Sequence, residues 1–213
     1  VERVDAADAD TVAQAQSVTV DAIEDVVDAI ESGKRRAAER AAPVLSDADT
    51  LLTHDYSTTV ISSISHAVED SGSLHVYVTE ARPRFLGRKM ARRLAEIDGV
   101  DTTLVVDSAG GHYLSACDRV VVGMDCIVDE VLYNRIGTYP LAATASDVGV
   151  PVTSIGSEAK IVDSGFAFEN EQRSPSEVML EPAEGFDVAN PAYDGTPVRL
   201  LDSVITDEQI RTL

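Results

Sequence analysis

The feature that most constrains this chain is an alternation of short apolar runs with amphipathic stretches, which begins near residue 49. The short runs are rich in β-branched residues and contain almost no charge, which is typical of strands buried on both faces of a parallel sheet. The candidate strands are Thr50–Thr53, Leu74–Thr79, Thr102–Val106, Arg119–Gly123 and Pro151–Ser154. The helical stretches between them are Ser57–Glu69, Arg84–Ile97, Gly110–Ala116 and Asn134–Val148. The alternation predicts a Rossmann-like α/β domain, with a parallel sheet covered by helices on both faces.

A helical segment is expected to precede this domain. Apolar residues recur there at three- and four-residue spacings, namely Val18, Ile23, Val26, Val27 and Ile30. A proline at position 43 is expected to close the helix. We therefore expect a helical segment over residues 1–45 and the α/β domain over residues 46–213, with a short apolar closing element at Val198–Ile205.

The charge of the chain indicates its habitat. The formal net charge is −20, from 22 Asp and 15 Glu against 14 Arg and three Lys, and the acids are spread along the sequence. Such a surface suits a halophilic cytoplasm, because at about 1 M salt the Debye length falls to about 3 Å and self-repulsion is screened. The same charge argues against binding of nucleic acid through a basic patch.

Several function classes find no support in the sequence. The chain has neither an apolar run of about 18 residues nor the basic and apolar regions of a signal peptide at its start, so we expect a cytoplasmic protein without a membrane partner. Cys117 and Cys126 lack metal-ligand spacing, and we expect no metal. Neither a dinucleotide-binding glycine motif nor a phosphate-binding P-loop is present, and no cofactor is expected.

The predicted strand ends nominate a site, because ligands of open parallel sheets bind at the carboxyl ends of the strands. The polar residues just after these strands are His54, Asp55, Glu80, Arg82, Asp107, Ser108 and Asp125. Structural roles are alternatives for several candidates. Asp55 and Asn134 are suitable helix N-caps and Asp125 a suitable turn cap, while Arg82 has many surface acids to pair with.

Six segments of the chain carry a family resemblance. They are L-T-H-D-Y-S at 52–57, T-E-A-R-P at 79–83, T-L-V-V-D-S-A at 103–109, V-G-M-D at 122–125, Y-N-R-I-G-T-Y at 133–139 and N-P-A-Y-D-G-T-P at 190–197. Over residues 18–205 they resemble, in order, the motifs of the alpha, beta and delta regulatory subunits of translation initiation factor 2B. That family also contains isomerases of methylthioribose 1-phosphate and ribose 1,5-bisphosphate. The acidity makes this chain similar to a haloarchaeal member.

The resemblance implies roles for particular residues. In the isomerases, a Cys after L-T-H and the Asp of V-G-A-D act as the acid–base pair; here the Asp is Asp125, but the Cys position holds Asp55. Two neighbouring carboxylates can also share this work, because one of them then has a raised pKa. The resemblance further implies that Arg82, Asn134 and Arg135 bind substrate, with Arg135 in place of the family's Lys.

Two functions remain open at this stage. The change from Cys to Asp, and the failure to find the isomerases' glycine- and alanine-rich phosphate loop, favour a regulatory or binding subunit with a pocket for a sugar phosphate or a nucleotide. The alternative is an aldose–ketose isomerase that uses Asp55 and Asp125. The resemblance implies initiation-factor subunits as partners, and homodimers or larger assemblies through the C-terminal half. We also expect Arg82, Arg135 and the amides that open the predicted helix Asn134–Val148 to bind an anion together.

Overall fold

The computed structural model describes residues 11–162, 167–181 and 183–213; the start of the predicted N-terminal segment, residues 1–10, lies outside them. The helices are α1 (Val12–Ser46), α2 (Thr58–Ser71), α3 (Leu86–Leu94), α4 (Gly110–Tyr113) and α5 (Thr138–Val148). The strands are β1 (Thr50–His54), β2 (Leu74–Thr79), β3 (Val100–Val105), β4 (Arg119–Gly123), β5 (Cys126–Val128), β6 (Val131–Arg135), β7 (Val152–Ile155), β8 (Ile161–Val162), β9 (Tyr193–Pro197), β10 (Ser203–Ile205) and β11 (Ile210–Thr212). None of the helices in the described ranges has the length and apolar character needed to cross a membrane.

The larger sheet has the strand order β11-β10-β7-β4-β1-β2-β3. All neighbouring pairs are parallel except β10 and β11. The chain builds outward from β1 to β3 on one side and from β4 to β10 on the other, so the order reverses between β1 and β4. The predicted Rossmann-like architecture is confirmed, and the crevice at this reversal is where such sheets bind ligands.

Two hydrophobic cores lie on the two faces of this sheet. Successive strand residues point to opposite faces, so Leu51 packs in the core with α1, α2 and α3, whereas Leu52 packs in the core with α5. Both leucines are fully buried, and burial of one such side chain contributes about 1.5–3 kcal/mol. Uninterrupted apolar strands are therefore required in β1 and β4, as the sequence indicates.

The C-terminal half of helix α1 is part of the hydrophobic core. It packs against α2 and the sheet through residues such as Ala37, Ala41 and Leu45, all fully buried. The expectation that Pro43 ends the helix was wrong, because the helix continues to Ser46 with the proline inside it. The buried side chains around the proline stabilise that last turn and offset the hydrogen bond that proline cannot make.

A second sheet, in the order β8-β5-β6-β9, stands beside the crevice. Strand β6 pairs antiparallel with β5 and β9. Residues 134 and 135 were predicted to open a helix, which was wrong: they end β6, and α5 begins at Thr138 after Gly137, whose φ is 108°. Asn134 occupies a buried position of β6. Because this buried residue is polar, the strand lacks the alternation of apolar and polar residues by which it could be recognised in the sequence.

Candidate functional site

The crevice between β1 and β4 forms an open pocket, which we call the carboxylate pocket. Asp55 enters it from the end of β1, Asp125 from just after β4, and Asn134 and Arg135 from the end of β6. Its remaining lining residues are Lys34, His54, Tyr56, Ser57, Thr58, Thr59, Gly123, Met124 and Lys160. Four of the five predicted site residues are therefore brought together here.

Arg135 lies between the two carboxylates. Its Nε is 3.5 Å from Oδ2 of Asp55 and 3.9 Å from Oδ2 of Asp125. The Asp55 side chain is only 7% exposed, whereas that of Asp125 is 39% exposed. One guanidinium thus offsets the repulsion of two acids that differ in their access to water.

Burial raises the pKa of Asp55 above its ordinary value of 3.8. Nearby positive charge at His54 and Arg135 opposes this rise in pKa, and the charge of Asp125 adds to it. The backbone of Asp55 has a φ of 62°, a left-handed conformation that aspartate tolerates better than most residues. Ser57, not Asp55, caps α2, so the N-cap alternative for Asp55 was wrong. The Asp55 carboxyl group instead faces Arg135 in the carboxylate pocket.

His54 anchors the turn that carries Arg135. Its Nε2 donates to the backbone carbonyl of Ile136 at 2.8 Å, and its Nδ1 is 2.6 Å from the Thr79 hydroxyl. Its ring lies so close to Gly137 that a Cβ on that glycine would approach the ring to 2.6 Å. Only glycine fits there, both for space and for its positive φ.

Asn134 is held by neighbouring polar groups. Its side-chain nitrogen donates to the Thr138 hydroxyl at 3.0 Å, and that hydroxyl donates to the Arg135 carbonyl at 2.7 Å. The alternative that Asn134 caps a helix was wrong, because it lies in β6. These hydrogen bonds fix the orientation of the Asn134 side-chain amide at the wall of the carboxylate pocket.

The amides that open α5 are already occupied. The Asp194 carboxylate accepts from the Gly137 amide at 2.6 Å and from the Tyr139 amide at 3.0 Å. The expectation that the amides opening this helix bind an external anion was therefore wrong, because an internal carboxylate satisfies them. Binding of an anion by Arg82 and Arg135 stays a prediction. Asp194 belongs to the N-P-A-Y-D-G-T-P segment, but nothing in its spacing indicated this contact.

The start of α2, in contrast, opens onto the carboxylate pocket. Ser57 accepts from the Val60 amide at 3.3 Å, while Thr58 and Thr59 line the pocket. Lys34 comes from α1 and Lys160 from the loop after β7, so two of the chain's three lysines lie here. Burial lowers the pKa of Lys160, whose Nζ donates to the Met124 carbonyl. Sequence reasoning missed both lysines, because no local motif surrounds them.

Arg82 lies in a second, open cleft, which we call the arginine cleft. Four guanidinium groups line it, from Arg82, Arg84, Arg135 and Arg173, and it shares Asp55 and Arg135 with the carboxylate pocket. Arg82 donates to the Val178 carbonyl at 3.1 Å. Within the described part of the chain no carboxylate lies within 4.0 Å of the Arg82 guanidinium, which does not support pairing with a surface acid.

Asp107 fixes the turn that carries Arg82. Its two carboxylate oxygens accept from the backbone amides of Ala81 and Arg82, each at 2.7 Å. Within residues 11–162, 167–181 and 183–213, no group of three or more His, Cys, Asp or Glu side chains is arranged to hold a metal ion.

Comparison with known proteins identifies the family of this chain. The sequence matches the initiation factor 2 subunit family over residues 1–210. It is 35% identical to a ribose 1,5-bisphosphate isomerase of Haloterrigena turkmenica, covering 94% of this chain and 66% of the relative. It is also 35% identical to that of Haloferax volcanii, covering 90% of this chain and 61% of the relative. The chain thus spans about two thirds or less of the length of these haloarchaeal relatives.

Solved structures show the same fold. A crystal structure of translation initiation factor 2B subunit delta from A. fulgidus superposes with a TM-score of 0.80 at 25% identity, covering 99% of this chain and 68% of that one. A methylthioribose 1-phosphate isomerase from Pyrococcus horikoshii gives a TM-score of 0.74 at 26% identity, covering 94% and 59%. The chain belongs to the initiation factor 2 subunit family, as a member of haloarchaeal type.

Proposed function

We propose that this chain is the Rossmann-like part of an aldose–ketose isomerase that acts on a ribose phosphate of the ribose 1,5-bisphosphate type. The observation that carries the proposal is the pair Asp55 and Asp125 on either side of Arg135. The names of the relatives, several of them ribose 1,5-bisphosphate isomerases, favour this alternative over the regulatory subunit preferred from the sequence.

The isomerisation moves a proton between C2 and C1 of the sugar, so it needs one group that takes a proton and one that gives it. The buried Asp55, with its raised pKa, is suited to hold and donate the proton. The more exposed Asp125 is suited to remove it as a carboxylate. Arg135 lies between them, where it can stabilise the negative charge that develops on the sugar oxygens.

The same pocket offers a place for a phosphate group. Thr58 and Thr59 belong to the first turn of α2, a helix of 14 residues whose free amides and dipole attract anions. Lys34 and Lys160 add positive charge beside that turn. In this arrangement the phosphate is held at α2 while the sugar carbons lie between the two aspartates.

A regulatory subunit remains the second candidate. Asp55 stands where the isomerases carry a Cys. The fold also matches an initiation factor 2B subunit delta with a TM-score of 0.80. On this reading the pocket binds a sugar phosphate or a nucleotide without converting it, and initiation-factor subunits are the partners.

Incubation with ribose 1,5-bisphosphate in D₂O and molar KCl separates the two functions. An isomerase forms the ketose and incorporates deuterium, both of which NMR detects, and the Asp125→Asn variant provides the blank. Binding without ketose formation or deuterium incorporation contradicts the isomerase and leaves the regulatory subunit.

A further inference from the structure

The arginine cleft reverses the sign of charge found over the rest of the molecule. The chain has 37 acidic and 17 Lys or Arg residues. Yet the side chains that line this cleft include four guanidiniums and a single carboxylate, that of Asp55. Like charges repel at close range, so the sequence maintains a local positive site inside a strongly negative molecule.

Protein carboxylates balance this charge only in part. Arg173 Nε is 3.1 Å from Oε2 of Glu177, and Arg173 Nη1 is 3.3 Å from Oε2 of Glu171. Arg84 reaches Glu177 only at 4.0 Å. Arg82 donates to a neutral carbonyl, that of Val178. Two of the guanidiniums therefore keep hydrogen-bonding capacity for an anion from outside.

The arginine cleft adjoins the carboxylate pocket, because Asp55 and Arg135 line both. A ligand beside these two residues would have the α2 turn on one side and the guanidiniums of Arg82 and Arg84 on the other. A sugar with a phosphate at each end matches this order, with one phosphate at the α2 turn, the sugar beside the two aspartates and the other phosphate at the arginines. Guanidiniums are well suited to the second phosphate, because their planar donors bind phosphate oxygens in pairs.

We propose that Arg82, Arg84 and Arg173 form a second phosphate subsite, which gives this pocket its preference for bisphosphates over monophosphates; this rests on the proposed function. Glu177 does not line the cleft but pairs with Arg173, one of these three arginines. Its carboxylate accepts from Arg173 and from Asn190, the latter at 3.1 Å, and so it competes with a phosphate for Arg173.

A purely structural role for the arginines makes a different prediction. Arg82 and Arg84 contact the segment around Glu177 and Val178, so they could serve only to hold that segment against the turn before α3. In that case the loss of either arginine changes thermal stability and lowers the affinity for every ligand equally. A subsite for one phosphate instead changes the ratio of bisphosphate to monophosphate affinity.

Isothermal titration calorimetry at constant ionic strength measures this ratio for ribose 1,5-bisphosphate and ribose 5-phosphate. Arg84→Ala and Arg173→Ala should each lower the bisphosphate preference about tenfold, the value of a hydrogen bond to a charged group. Glu177→Gln, which removes the competing charge, should raise the preference. Arg92→Ala is the matched control, because Arg92 lies on α3 outside both clefts and donates to the Arg88 carbonyl.

An unchanged ratio in Arg84→Ala and Arg173→Ala overturns the subsite, as does equal binding of both ligands by the unaltered protein. Those outcomes leave the proposed function standing if ketose is still formed. Absence of both binding and turnover overturns the proposed function as well. A melting temperature for each variant identifies loss of fold, and the Glu177→Gln gain tests the proposal even if an arginine variant fails to fold.

Discussion

The two clefts on either side of Arg135 hold their charges in different ways. In the carboxylate pocket Asp55 is almost fully buried, and burial raises the pKa of its carboxyl group. In the arginine cleft Arg84 and Arg173 are partly exposed and pair with the surface acid Glu177, while Arg82 donates to a backbone carbonyl. Burial changes proton affinity, whereas exposed ion pairs change mainly the attraction for other ions. The first environment suits chemistry and the second suits recognition.

The largest effect should come from Asp125→Asn, which removes the proposed base from the carboxylate pocket. Turnover of ribose 1,5-bisphosphate should fall by about 10²–10⁴-fold, the usual contribution of a general base. Affinity for the bisphosphate should remain within a few-fold, because the cations and α2 are untouched. Initial-rate kinetics and calorimetry measure the two quantities separately. The matched control is Asp147→Asn, an exposed acid on α5, and a rate loss equal to that of the control would contradict the assignment.

Arg135→Ala should have the next largest effect, because this residue borders both clefts. Affinity for ribose phosphates should weaken by about 2 kcal/mol, roughly the contribution of a hydrogen bond to a charged group. Arg135→Lys keeps the charge but not the planar donors, so it should recover part of the loss. Calorimetry with mono- and bisphosphates checks this order, and an Arg135→Ala protein that binds both as well as the unaltered protein would show that neither cleft uses the residue.

Asp55→Asn should stabilise the fold at neutral pH while it abolishes turnover. The folded state raises the pKa of Asp55, so ionisation of this buried group opposes folding above the raised pKa. Below the ordinary pKa of 3.8 both states are protonated and this cost disappears. The melting temperature at pH 7 should therefore be higher for Asp55→Asn than for the unaltered protein.

The gain from Asp55→Asn should shrink as the pH is lowered through the raised pKa towards 3.8. Differential scanning calorimetry at pH 5, 6, 7 and 8 follows this trend. A gain that grows on acidification would mean that the folded state lowers this pKa, and it would remove Asp55 as the proton-holding group.

A change in salt concentration should produce the smallest effect on ligand binding. It should affect binding in the arginine cleft more than binding in the carboxylate pocket. Between 0.5 and 2 M KCl, screening should reduce the bisphosphate preference about two- to threefold, because the arginine cleft is the more exposed. Over the same range the melting temperature should rise, since the net charge is −20. Calorimetric titration across this range measures the bisphosphate preference at each salt concentration. A bisphosphate preference that does not change with salt would show that the second phosphate does not bind at exposed charges.

The large sheet was predictable because its strands are apolar and separated by amphipathic helices. Asp55 and Asp125 were predictable as neighbours, since both follow strands that meet at the reversal of strand order. Their roles in catalysis remain predictions, as do those of Asn134, Arg135 and Arg82.

Other parts of the site could not be predicted from local pattern. Strand β6 is short and carries Asn134 at a buried position, which resembles a helix start in sequence. Lys34, Lys160 and Arg173 reach the two clefts through contacts between residues far apart in the chain. The same holds for Asp194, which lies 57 residues from the Gly137 amide that it binds. Long-range pairings of this kind leave no periodicity to detect.

The pairing of β6 with β9 has a consequence for the timing of synthesis. Arg135 leaves the ribosome 58 residues before Tyr193, the first residue of β9 and its partner in the sheet. At 5–20 residues per second this delay lasts roughly 3–12 s. During that interval one edge of β6 has no partner, and unpaired edges promote aggregation. A nascent chain stalled before residue 193 would therefore have β1 and β4 complete but β6 paired on one edge only, and we expect chaperones to bind it.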